Sequence, residues 1–171
     1  ELGGNIEIDV MNSLGFDVVC LGNHEFDNGI DTLAVILQNA QFNVVCANYD
    51  VTGTMLEDLV SAYVVIHRAN VRIGVFGIGV NPQGLIAEKN FFPLKYLEPI
   101  SAAQDVANVL KYKENCDIVI CLSHQGTHSV SNVQISDVNL AQSTRNIDII
   151  IGAHTHKVVT NYYVPNLDGD S

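Results

Sequence analysis

The segment Gly22-Asn23-His24-Glu25-Phe26-Asp27 places an amide, an imidazole and two carboxylates directly after the apolar run Val18-Val19-Cys20-Leu21. Two further segments repeat the arrangement: Ser123-His124-Gln125-Gly126 after the apolar residues 118–122, and Gly152-Ala153-His154-Thr155-His156 after 147–151. Neutral imidazoles and amide oxygens suit borderline divalent cations such as Zn, Mn, Co, Ni or Fe. Asn23, His124, His154 and His156 are therefore candidate metal ligands. His24 has a different neighbour, because Asp27 lies three residues on and within reach in a turn. A carboxylate on one ring nitrogen fixes the tautomer and raises the basicity of the other. Such a pair can bind an anionic group as imidazolium or hand a proton to a departing alkoxide. The alternative is that Asp27 caps the helix that begins near Gly29; the two roles are compatible.

Helices and strands must alternate to deliver these loops. Ile6, Val10, Met11 and Leu14 give residues 5–13 a helical spacing, and 18–21 follow as a buried strand. Residues 30–40 read as a helix and 44–47 as a second strand, then 51–60 as an irregular stretch. Residues 64–67 and 71–77 are two strands joined by the tight turn Ala69-Asn70. Pro82, Pro93 and Pro99 mark 79–98 as loop-rich. A helix over 102–114, opening near Ser101, precedes a strand at 118–122; a shorter helix at 138–144 precedes the strand at 147–151. Apolar strands alternating with helices imply an α/β layered fold, with the hairpin adding antiparallel pairing and hence mixed sheets. Strand ends of such sheets converge on one crevice, where the three polar loops are expected to meet.

Bulk composition sets the outer bounds. The 171 residues suffice for one domain or part of a larger one, and 47% hydrophobic with 16% charged residues is globular. A formal charge of −11 excludes a protein that coats nucleic-acid polymers, which needs a basic face. No apolar stretch has the length of a membrane span. The four cysteines show no CxxC spacing and are expected as buried free thiols. Gly74-Val75-Phe76-Gly77-Ile78-Gly79 is glycine-rich, but Asn81-Pro82 follows rather than a helix, so it is not a dinucleotide-binding loop. Ser123 beside His124 lacks a nucleophile elbow and is not a serine-hydrolase site.

In that order, the three polar segments resemble the later signature blocks of the calcineurin-like metallophosphoesterases, most closely the bacterial 5′-nucleotidase branch. That branch includes UDP-sugar hydrolases and 2′,3′-cyclic-nucleotide phosphodiesterases. Ala47-Asn48-Tyr49-Asp50 and Leu167-Asp168-Gly169 also resemble it. The resemblance implies a four-layer αββα sandwich, with Asn23, His124 and His154 on one of two divalent metals and His156 on the other. It implies His24, oriented by Asp27, as the catalytic histidine, and in-line attack of a metal-bound hydroxide on the phosphorus of a nucleotide. It further implies a periplasmic or cell-surface location.

Two earlier blocks of the resemblance, an Asp-x-His and a Gly-Asp, have no counterpart here. Asp9 falls in a helical stretch and Asp17 precedes its strand. The C-terminal substrate domain is missing too, so residues 1–171 read as a partial catalytic domain cut from a longer parent at Glu1 and in the turn before Ser171. The parent is expected to be a nucleotide phosphoesterase, with cyclic-nucleotide phosphodiesterase or UDP-sugar hydrolase as alternatives. The chain alone is expected to be nearly inactive, and a catalytically silent binding or structural module is the alternative of another class.

Overall fold

The structure is a computed structural model that describes residues 4–128, 134–160 and 162–170. Glu1 and Ser171, the expected cut points, lie outside these residues.

The first half runs α1 (Asn5–Leu14), β1 (Val18–Cys20), a 3-10 turn (His24–Phe26), α2 (Ile30–Leu37), β2 (Asn43–Val45), β3 (Tyr49–Asp50) and β4 (Val60–Ser61). The second half runs β5 (Tyr63–Arg68), β6 (Val71–Ile78), α3 (Glu88–Phe91), β7 (Lys95–Tyr96), α4 (Pro99–Asn108), β8 (Ile118–Ser123), α5 (Asp137–Gln142) and β9 (Ile149–Gly152). α1 ends where Gly15 takes a left-handed φ of 72° and returns its N–H to the Asn12 and Met11 carbonyls. α4 opens earlier than expected. The Glu98 carboxylate caps it by accepting from Ile100 N–H at 3.1 Å and Ser101 N–H at 2.7 Å, with Pro99 in the first turn. α4 then continues as a π-helical turn over Val109–Lys113.

β1, β2 and β4 form a parallel sheet, and β5, β6, β8 and β9 a mixed sheet in that order, with β5–β6 antiparallel. The two meet closely: Ala47 N–H donates to Gly77 O at 2.8 Å. A Cβ on Gly77 would overlap the Val45 carbonyl oxygen, so only glycine permits this approach. One core lies between α1, α2 and the first sheet, around Leu33, Leu37, Val44 and Phe26. The other lies between α4, α5 and the mixed sheet, around Phe76, Leu110, Val119 and Leu140. Helices, sheet, sheet and helices give the expected αββα layering.

Two strands differ from expectation. β1 is only half-buried along its length, and Ile149 and Ile151 of β9 are exposed. Both stand at the end of their sheet, with a neighbour on one side only. An all-apolar run cannot distinguish that position from a central one. The loop-rich 79–98 carries two short elements, α3 and β7, and the irregular 51–60 ends in β4. All four cysteines are free; Cys46, Cys116 and Cys121 are buried and Cys20 is half-buried.

Candidate metal centre

Phe26 anchors the first polar loop. It is fully buried, edge-on to Tyr49 at 5.7 Å and to Phe91 at 5.2 Å between ring centroids. With Phe26 inward, the 3-10 turn buries Asn23 and leaves His24 in solvent. Glu25 Oε2 accepts from Gly22 N–H at 2.8 Å, and Asn90 Nδ2 donates to Asp27 O at 2.8 Å, fixing the loop at both ends.

His124 leaves the end of β8 with its N–H on Ile78 O at 2.8 Å. Its neighbour Gln125 is 1% exposed and donates from Nε2 to Gly79 O at 2.6 Å. The same glycine is held on both sides by buried Asn48, whose Nδ2 donates to Gly79 O and whose Oδ1 accepts from Gly79 N–H. The third loop leaves β9 in register with β8, as Ala153 N–H donates to Ser123 O at 2.8 Å. His154 and His156 have left-handed φ values of 73° and 53°, a backbone that non-glycine residues adopt rarely and that concentrates at functional sites.

These anchors bring three predicted residues together. His124 Nε2 lies 3.1 Å from Asn23 Oδ1, and the His124 and His154 rings are 5.1 Å apart between centroids. Gly22 makes room, since a Cβ there would stand 2.5 Å from His124 Cε1. Burial pushes the His124 imidazole down to about 4, and His154, His24 and His156 add to the effect. Burial, with His156 and His24, also lowers His154. Both rings are thus neutral near pH 7, the form a cation requires of its ligand.

His24 moves the other way. Asp27 Oδ2 sits 3.0 Å from its Nδ1, and this hydrogen bond, with the Asp27 charge, raises its pKa. The expected pairing is present. Asp27 does not cap α2, whose N-cap is Gly29 with no side-chain bond. His156 and His24 lie within electrostatic reach of His124 and His154. Among the described residues, no three or more His, Cys, Asp or Glu side chains gather to hold an ion by themselves. The set that does form is two imidazoles and an amide. Asp17 is occupied in an exposed ion pair with Arg68, away from any such role.

The family profile described as calcineurin-like phosphoesterase matches residues 5–158. The chain belongs to the calcineurin-like phosphoesterase family. Among curated relatives of the chain, the 5′-nucleotidase of Vibrio parahaemolyticus is 30% identical over 157 residues, covering 87% of the chain and 28% of the relative. A snake venom 5′-nucleotidase of Gloydius brevicauda is 27% identical, covering 90% and 25%. The solved 5′-nucleotidase precursor from Thermus thermophilus superposes with a TM-score of 0.79 at 27% identity, over 93% of the chain and 30% of that structure. The chain thus spans about a quarter of the length of the curated relatives it matches.

Sequence reasoning did not find the buried anchors Asn48 and Gln125 or the loop clamp Glu25 as supports of the site. Their one signal was position, since Glu25 and Gln125 each stand next to a candidate histidine.

Proposed function

We propose that these residues form part of the catalytic domain of a metal-dependent hydrolase that cleaves phosphoesters of nucleotides, in the manner of a 5′-nucleotidase. The observation that carries the reading is the meeting of Asn23 Oδ1 and His124 Nε2 at 3.1 Å beside the His154 ring, in surroundings that keep both imidazoles neutral. A proton on Nε2 satisfies that contact, and a borderline divalent ion can take the proton's place. The donor set therefore fits a metal. Asn23, His124 and His154 would hold one ion, and His156 would serve a second.

When bound, such ions supply positive charge to the phosphoryl oxygens and make the attacking water more acidic. The chain's own groups do the rest. His24, kept protonated further up the pH scale by Asp27, stands at the exposed rim of the site and holds a phosphoryl oxygen or protonates the leaving alkoxide. Asp27 fixes its tautomer. The substrate is a small nucleotide rather than a polymer, consistent with the charge of −11 and with the names of the relatives. Export to the periplasm or cell surface rests on the resemblance alone. Among the described residues no helix is long and apolar enough to cross a membrane.

For the 171 residues by themselves, a donor set of two imidazoles and one amide favours the second reading, a chain that binds but barely turns over. The full-length parent should be assayed on AMP, UDP-glucose and 2′,3′-cyclic AMP, before and after chelator treatment. Turnover of AMP that disappears with chelator and returns with Mn or Zn is expected. Chelator-insensitive turnover would remove the metal from the account, and a preference for another substrate would replace the nucleotidase assignment.

A further inference from the structure

Asp137, at the start of α5, touches both histidine-bearing strand ends without being a candidate ligand. Its backbone N–H donates to Gly126 O at 2.8 Å, two residues after His124. Burial raises the pKa of its carboxylate, and the nearby Ser123 hydroxyl, one residue before His124, partly offsets the rise. Its Oδ2 also presses on Gly152, two residues before His154, so closely that a Cβ at 152 would overlap it. Ser123 and Gly152 are themselves register partners across β8 and β9. One residue therefore bridges the two strand ends from which the facing imidazoles spring, by its backbone on one side and its carboxylate on the other.

The position is costly for the fold. Ser123 is 2% exposed, and Asp137 Oδ1 is buried with no hydrogen-bond partner among the described residues. An ionised carboxylate with one oxygen left unsatisfied loses free energy on burial; a neutral asparagine would lose less, and a small apolar residue none. The helix dipole favours an acidic residue in the first turn of α5, but it does not account for the unpartnered buried oxygen set against both histidine loops.

We propose that Asp137 is a positioning residue that holds the His124 and His154 loops in the spacing needed for their imidazoles to share one metal ion. The proposal rests on the reading of those histidines as ligands. Outer partners of this kind typically change metal affinity by about 10–100-fold when altered.

The test compares wild type, Asp137→Asn and Ser123→Ala in three measurements on the whole 171-residue chain. These are thermal unfolding of the metal-free protein, Co2+ titration by calorimetry, and the imidazole proton resonances of His124 and His154. Asp137→Asn should melt at or above the wild-type temperature, bind Co2+ at least about tenfold more weakly, and lose the ring-to-ring cross-peaks of the two histidines. Ser123→Ala should shift Co2+ affinity and cross-peaks in the same direction by a smaller factor. Wild-type Co2+ affinity and unchanged cross-peaks in Asp137→Asn would overturn the proposal. A wild-type chain that takes up no Co2+ would instead sink the metal reading. The metal-free cross-peaks would still decide the role of Asp137: lost in the variant supports positioning, and kept refutes it.

Discussion

At the residue scale the site separates imidazoles by their surroundings. His124 and His154 are neutral because they are packed against protein and against one another, while His24 is solvated and tied to a carboxylate. Replacing His24 by Ala should lower turnover of the full-length protein by about 10²–10⁴-fold while metal content stays constant. Loss of metal in that variant would reassign His24 as a ligand. Asp27→Asn removes the group that raises the His24 pKa, so the alkaline limb of the full-length protein's activity should move to lower pH. The sign for His124 is opposite. Its folded pKa, about 4, lies below the ordinary 6.5, so the unfolded chain binds the extra proton and stability declines as pH falls across that window. His124→Asn should flatten the decline between those two values, measured by denaturant unfolding of the metal-free chain at several pH values.

At the element scale, short loops leaving well-anchored strands do the positioning, and much of this was legible. The strand-then-loop pattern at 18–27, 118–126 and 147–156 identified the three segments that meet, because an apolar run followed by His, Asn and Gly has few structural alternatives. The edge position of β1 and β9 was not legible, since pairing partners lie far away in sequence. Nor was the start of α4, where a glutamate rather than Ser101 supplies the cap. The Glu98 carboxyl is pushed up by burial, but the Ser101 and Ile100 N–H groups outweigh this and its pKa is lowered. Its contribution is present above the ordinary carboxylate pKa and lost as pH falls through the lowered one. Glu98→Ala should cost about 1 kcal/mol at neutral pH by denaturant unfolding, and the difference from wild type should vanish in acid.

On the scale of the whole molecule, two sheets in contact through Gly77 and Ala47 carry the three loops to one side. The αββα arrangement could be expected from alternation and resemblance. What a linear reading could not supply was the buried lattice of Asn48, Gly79 and Gln125 that keeps the second loop rigid, because it joins residues 31 and 46 positions apart. The two resemblance blocks without counterpart here would add carboxylates to this constellation. The chain alone should therefore turn over p-nitrophenyl phosphate with Mn or Zn far more slowly than a full-length relative. Comparable rates would show that the residues present suffice.

The most direct measurement is divalent-ion retention by the purified chain after equilibrium dialysis against Zn or Mn, for wild type, His124→Ala and His154→Ala. One retained equivalent in the wild type, lost in both variants, is predicted from the meeting of Asn23, His124 and His154. No retained ion in the wild type, or equal retention in the variants, would contradict it.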